Sequence, residues 1–389
     1  MLRPKILAMI LAGGPGGRLG ALTDRRSKPS LPVGGHYRMI DIPLSNLAHS
    51  KIADVWVVEQ YLPFSLNDHV ANGRPWDLDR TDGGLRILPP YQGAAGEGFA
   101  EGNADALHRQ AGLVRDFNPD LVLVLSADHL YRLDYRDVVD THYEAGADLT
   151  MVTTKVGGDV SRYSVVEVEG GRVTGFEYKP EQPKTDLVAA EVFLYNADVL
   201  LETMDRLAAE NGEGLKDYGD VLVPHLVEHA TVAEHRHDGY WRDLGTIPSF
   251  WEAHMQLLDG TGFNLQEQGW PVRTASPQLM PAFVASAARI EGSLVSAGST
   301  VHGTVVRSVV GPGAVVEEGA VVRDSVLLHG VRVEAGAELV RTVADDRAMV
   351  GRNAKVGGDG DITVLGQDSK VAAGTSVAAG EQLEPDSGR

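Results

Sequence analysis

Two textures divide the chain. Up to about residue 260, short apolar runs alternate with amphipathic stretches. Residues 6–11, 55–58, 121–125, 149–153 and 192–195 are nearly continuous apolar runs and are predicted as buried strands. Residues 104–117, 135–144 and 248–258 carry helical patterns. Strands alternating with helices predict an α/β domain with a mostly parallel, Rossmann-like sheet covered on both faces. Ligands of such sheets bind beyond the carboxyl ends of the strands.

From about residue 281 the period changes. Val309, Val315, Val321, Leu327, Val333 and Leu339 recur every six residues, punctuated by Gly311, Gly313, Gly319, Gly330 and Gly336. Earlier turns are suggested at Ile290 and Val295, and later ones at Val350, Val356 and Ile362. A six-residue aliphatic period with small residues at the corners predicts a left-handed parallel β-helix, each coil stacking its core residue on the next. The expected division is a catalytic domain over 1–262, a linker over 263–280, the β-helix over 281–378, and a disordered tail over 379–389.

Length and composition narrow the classes. A chain of 389 residues, 43% hydrophobic, has material for two cores. With 54 acids against 35 bases the net charge is -19, and no basic block stands out, which argues against a nucleic-acid partner. The absence of cysteine excludes disulfides, Cys-ligated zinc and thiol catalysis. No stretch approaches the roughly 18 apolar residues of a membrane span, and the short apolar run near the start lacks a signal peptide's form. A cytoplasmic, membrane-free protein is expected.

The first apolar run opens directly into chemistry. It is followed by Gly13, Gly14, Gly16 and Gly17, then Arg18, then Lys28. Glycines let backbone N–H groups approach an anion without interference from Cβ atoms, and two cations beside that hollow suit a polyphosphate. The dinucleotide pattern GxGxxG is not met cleanly, because Pro15 interrupts it, and the P-loop pattern is absent.

The complete string AGGxGxRLxxLTxxRxKPxxP resembles the signature of sugar nucleotidylyltransferases, the ADP-glucose pyrophosphorylase family in particular. That family joins a nucleotide-binding α/β domain to a C-terminal β-helix in the same order. The resemblance implies joining of a nucleoside triphosphate, with ATP first, to a sugar 1-phosphate, with glucose 1-phosphate first. It also implies Mg²⁺ and a homo-oligomer, dimer or tetramer, assembled through the β-helix. The acceptor phosphate is already anionic, so the chemistry calls for alignment and charge neutralisation rather than a catalytic triad.

By the same resemblance, Ala12, the four glycines, Arg18 and Lys28 hold the triphosphate, with Gln60 near it. Gln92, Gly96, and Gly102, Asn103 and Ala104 of the string GNADA fall in the base- and ribose-binding segment. Asp128 in SADHLY and Asp243 in YWRDLGT match the two metal carboxylates, and oxygen ligands suit Mg²⁺. Lys179 in EYKP matches the lysine that grips the acceptor phosphate. Asp217 and Tyr218 of KDYGD, together with Trp241, lie by the sugar.

Departures gather in the acceptor pocket. Where the family has Glu, Ser and Gly facing glucose hydroxyls, this chain has Tyr178, Ala189 and Glu191. These changes suggest a different sugar-like acceptor, and a glucose-like cyclitol phosphate of the valienol 1-phosphate type, with GTP as a possible donor, stands beside glucose 1-phosphate. Two further readings are weighed. An acyltransferase would use His302 or His329 at the solenoid edge but has no use for the nucleotidyl site. A silent regulatory subunit would not need both metal carboxylates. Arg25 and Arg26 lie where the family carries effector-linked cations; taken alone they read as surface charge.

Overall fold

The computed structural model describes residues 4–14, 16–90, 99–211 and 215–389. Its first part is built on a nine-stranded sheet in the order Gly84–Leu88, Asp54–Glu59, Ile6–Ala12, Leu121–Ser126, Leu187–Asn196, Leu149–Lys155, Val232–Arg236, Arg172–Tyr178, Ser164–Glu169. The first four run parallel. Leu187–Asn196 and Arg172–Tyr178 run against their neighbours, while Val232–Arg236 is again parallel to Leu149–Lys155. Ile6–Ala12 lies between two parallel partners and is buried on both faces. Ala8 and Ile10 enter one core and Leu7 and Met9 the other, which is why its sequence is apolar at every step.

The helical patterns over 135–144 and 248–258 form Tyr135–Ala145 and Ile247–Asp259. Asp134 caps the first by accepting from the Arg136 N–H, and Thr246 with Ser249 forms a capping box on the second. The pattern over 104–117 is two helices, Asn103–His108 and Ala111–Phe117. Gln110, at φ −93 and ψ −1, breaks the continuity between them.

His254 in Ile247–Asp259 is fully buried. Its Nδ1 donates to the Phe250 carbonyl (2.8 Å) and its Nε2 accepts from the Gly34 N–H (3.2 Å), a pairing that suits neutral imidazole. Burial lowers its pKa from 6.5 to about 4, against a smaller opposing effect of the Phe250 bond. The unfolded chain therefore takes up this proton first as pH falls, so His254 removes stability between pH 6.5 and about 4. We expect the melting temperature to decline over that window, and His254→Gln to show a shallower decline by calorimetry.

The second part is a solenoid of three six-stranded parallel sheets. Its phase differs from the expected hexapeptide register. Val305 pairs with Val322, Val322 with Leu339, and Leu339 with Val356. Val316 and Val322 point into the core, whereas Val315 and Val321 are half-buried. The cause is a coil one residue short of three hexapeptides. At the short corner sit Ser308, Ser325 and Thr342, spaced 17 residues apart. The Ser325 N–H donates to Ser308 Oγ and the Thr342 N–H to Ser325 Oγ, so each hydroxyl satisfies an amide in the next coil. Valine doublets conceal this one-residue shift in the sequence.

The last eleven residues, expected as a disordered tail, continue the solenoid instead. Gln382–Leu383 pairs with Thr363–Leu365, and Gly388 bridges Lys370. Residues 263–280 are irregular but pinned to the first domain. Trp270 Nε1 donates to Asn46 Oδ1 (2.9 Å), Trp76 Nε1 to the Arg273 carbonyl (3.1 Å), and Leu265 and Val272 are buried.

One outer face of the solenoid is covered by the first domain. Val309, Val326, Val343 and Val364 join the same apolar cluster as Leu22, Phe250 and Trp251. Trp251 Nε1 donates to the Asp324 carbonyl (2.8 Å), and the Arg341 guanidinium stacks on its ring. Arg26 corrects the reading as surface charge. It is 4% exposed, and its Nη2 lies 2.5 Å from Asp345 Oδ1 and 3.3 Å from Asp346 Oδ2 of the solenoid. Arg25, partly exposed, pairs with Asp386 and lies 3.7 Å from Asp368. Both arginines are engaged by carboxylates of the same chain.

Candidate active site

A cavity of about 860 Å³ opens at the carboxyl ends of Ile6–Ala12, Asp54–Glu59 and Leu121–Ser126. Its rim begins where Ile6–Ala12 ends. Ala12, Gly13, Gly14, Gly16, Gly17, Arg18 and Lys28 all line it. Gly16 holds φ +67, a left-handed conformation that lets the loop turn into the 3₁₀ segment Gly17–Leu22. Gln60 lines the same wall and donates from Nε2 to the Ala100 carbonyl.

Asp128 follows Leu121–Ser126 by two residues, and Asp243 ends the short strand Trp241–Asp243. The two are far apart in sequence but adjacent in space, because Trp241–Asp243 pairs antiparallel with His129–Tyr131, Asp243 opposite His129. The Leu244 N–H donates to the Asp128 carbonyl (3.2 Å) and fixes the approach. One ligand atom each of Asp128, His129 and Asp243 lies within 4.8 Å of the others. Two carboxylates and an imidazole suit a divalent cation.

Lys28 sits among them. It is 8% exposed, donates to Asp128, and its Nζ lies 3.4 Å from Asp243 Oδ1. Burial would lower its pKa, but the charges of Asp128 and Asp243 overcome that and raise it. Burial pushes the Asp128 carboxyl up, while Lys28, His129 and the Ser126 hydroxyl bring it well below the usual carboxylate range.

The cavity is lined further by Tyr178, Lys179, Glu191, Asp217 and Tyr218. Lys179 Nζ donates to the Tyr178 hydroxyl (2.5 Å), which donates to Asp217 Oδ2 (2.8 Å). Burial first, then the Asp217 bond and charge, raise the Tyr178 pKa far beyond its ordinary value, so the phenol stays protonated. Asp217 Oδ1 accepts from the Asn103 N–H (3.1 Å), and Asn103 Oδ1 accepts from the Tyr218 N–H (2.6 Å). This exchange ties the two segments across the cavity. Glu191 sits at a bulge in Leu187–Asn196 with φ +56. That conformation costs a side-chain-bearing residue about 1 kcal/mol relative to glycine. Burial, then the nearby Asp128 and Asp243, raise its pKa against the opposing charge of His129.

Not every expected residue faces the cavity. Ala104 is buried in the helix Asn103–His108, its N–H bonded to the Lys216 carbonyl. Trp241 packs on His129 (4.8 Å between ring centroids) and Tyr163 (5.4 Å), behind the carboxylate pair. Gln92 and Gly96 lie outside the described residues. Other residues lining the cavity were not singled out from sequence. Tyr61 and Phe99 are exposed aromatic rings on it. Glu59 is buried there, and burial raises its pKa to about 7 against the smaller opposing effect of Asn67. The position of Glu59 at the end of a buried strand was the available signal.

Gly102 is packed so closely that a Cβ would lie 2.2 Å from the Lys216 carbonyl carbon and 2.6 Å from the Asp217 N. Gly102→Ala is therefore expected to push Asp217 away from Asn103 and Tyr178. Its measurable result is weaker binding of both substrates, about tenfold or more in KM, with the solenoid unaffected.

Among the described residues no helix is long and apolar enough to cross a membrane. Residues 7–260 match the nucleotidyl transferase family, and residues 280–379 match the GlmU-like C-terminal hexapeptide family. Glucose-1-phosphate adenylyltransferases of Bacillus thuringiensis (strain Al Hakam), Bacillus cereus (strain Q1) and Bacillus anthracis are each 37% identical to this chain over 353 residues, covering 90% of it and 92% of each relative. The glycine-rich rim, the paired carboxylates and the solenoid thus occur in one chain with that likeness, and the chain belongs to the nucleotidyl transferase family, within the group of sugar-1-phosphate nucleotidylyltransferases.

Proposed function

We propose that the protein joins ATP to glucose 1-phosphate, releasing pyrophosphate and forming ADP-glucose. An anionic oxygen of the acceptor phosphate attacks the α-phosphorus, the α–β bridging bond breaks, and pyrophosphate leaves. No base is needed, since the nucleophile is already ionised at neutral pH. Arg18, Lys28 and the backbone of Gly13, Gly14, Gly16 and Gly17 hold the triphosphate and stabilise the departing charge. Gln60, Gly102 and Asn103 border the nucleoside, with Tyr61 and Phe99 offering ring faces to the base. Lys179 grips the acceptor phosphate, and Tyr178, Glu191, Asp217 and Tyr218 define the sugar. Asp128 and Asp243 hold Mg²⁺, which when bound neutralises phosphate charge.

The observation that carries this reading is the convergence of the glycine rim, Lys28, Asp128 and Lys179 on one cavity, with Asp243 buried beside it at 3.4 Å from Lys28 Nζ. Glu191 favours a second acceptor. A carboxylate held in a glycine-like conformation, beside the phenols of Tyr178 and Tyr218, suits a different pattern of hydroxyls, such as a glucose-like cyclitol 1-phosphate. Pyrophosphate release from a matrix of ATP and GTP against hexose and cyclitol 1-phosphates separates the two. Release with ATP and glucose 1-phosphate above all others supports the first reading, and release only with a cyclitol phosphate supports the second. No release with any pair overturns both and leaves a silent subunit. The solenoid, with Met280 and Phe283 exposed in its first turns, is the surface for self-association in a cytoplasmic homo-oligomer. Light scattering of the purified chain tests that assembly.

A further inference from the structure

We propose that Lys28 gates the carboxylate pair: without nucleotide its ammonium closes Asp128 and Asp243 against a divalent cation, and the triphosphate frees them by drawing that ammonium away. The inference rests on the reading of those two acids as metal ligands.

The geometry is specific. Lys28 Nζ contacts both acids at once, so it stands between the two groups a metal would have to bridge. Lys28 and Asp243 are buried, and the ammonium cannot simply turn into water while leaving its partners unneutralised. A divalent ion competes with it there, since ammonium and ion would put three positive charges between Asp128 and Asp243, with Glu191 the further acid nearby. Lys28 opens the short 3₁₀ turn Lys28–Ser30, where its carbonyl accepts from the Leu31 N–H (3.1 Å), so the backbone there is held by its own turn. The long side chain is the part free to swing. The same cavity supplies its alternative, the glycine rim where a triphosphate would place several anionic oxygens within reach of Lys28. Nucleotide and metal binding are then coupled through one side chain beyond ordinary chelation, and the coupling must be reciprocal.

The test is titration of nucleotide-free protein with Mn²⁺ alone, reading free Mn²⁺ by electron paramagnetic resonance. Lys28→Gln removes the charge and is expected to bind Mn²⁺ at least about tenfold more tightly than wild type. Lys28→Arg keeps the charge and should bind as weakly as wild type. Adding Asp128→Asn to Lys28→Gln should abolish the gain. Equal Mn²⁺ affinity in wild type and Lys28→Gln, with both lost on Asp128→Asn, overturns the gate while leaving the metal site standing. Mn²⁺ binding indifferent to Asp128→Asn in every background overturns the metal site itself. Should Lys28→Gln fail to fold, a second uncharged variant decides. Lys28→Met, titrated with Mn²⁺ alone, then takes its place: a gain of about tenfold over wild type supports the gate, and no gain overturns it.

Discussion

Asp128→Asn is expected to lower the rate of pyrophosphate release by at least about a hundredfold while leaving the fold in place. The amide keeps the size of the carboxyl and can still meet the Ser126 hydroxyl, which bonds Asp128 in the wild type. What it removes is the negative charge that, with Asp243, neutralises Lys28 and suits a divalent cation. The backbone link from Leu244 to the Asp128 carbonyl does not involve the side chain, so the approach of the two strands survives. Lys28 retains Asp243, and the melting temperature should stay within about 5 °C of wild type. Pyrophosphate release measured beside a thermal melt checks both halves. Near-normal turnover would remove Asp128 from the chemistry, and a collapsed melt would make it a structural residue.

The largest effect on stability is expected from Arg26→Ala, about 3 kcal/mol or more, read as a lower midpoint in urea. The guanidinium is buried between the domains, and removing it takes from Asp345 and Asp346 the cation in contact with them, leaving the charges of Arg38 and Arg347 farther off. Even with Arg26 present the balance is imperfect: Arg26 Nη1 and Asp345 Oδ2 are buried without partners, and burial first, then the charge of Asp346, raise the Asp345 pKa to about 6 against the pull of Arg26. An acid raised in the folded state lends stability in full below its ordinary value, and loses it as pH rises through about 6. The Arg26→Ala loss should accordingly shrink at pH 5, where Asp345 takes up a proton. Pairing Arg26→Met with Asp345→Asn should recover part of the loss, because only the less buried Asp346 then loses its partner charge. Arg26 lies two residues from Lys28, so the single variant should also weaken nucleotide binding.

Much of the architecture was legible because its signals are local. The apolar run at residues 6–11 needs only its own residues to announce a strand buried on both faces, and the glycines behind it need only their spacing to announce a turn. Asp128 was legible for the same reason, as the acid just beyond a buried strand. Asp243 required the resemblance, since nothing near it in sequence reveals its pairing with His129. Arg26 was misread because its partner lies 319 residues away, and a lone arginine beside a loop looks solvated until that partner is known. The phase of the solenoid was hidden by valine doublets, either member of which satisfies a six-residue count. Only the hydroxyl ladder through Ser308, Ser325 and Thr342 reveals the missing residue. The left-handed φ of Glu191 is a property of backbone geometry that no side-chain pattern encodes.

The final coil packs against the beginning of the chain. Gln382 lies against Gly20 and Asp386 pairs with Arg25, a contact spanning 361 residues. During synthesis, every side chain proposed for catalysis has therefore left the ribosome well before the stretch that buttresses the first loop. A nascent chain must hold that loop without this support until residues 382–386 have emerged, so a stall before them strikes the N-terminal loop first.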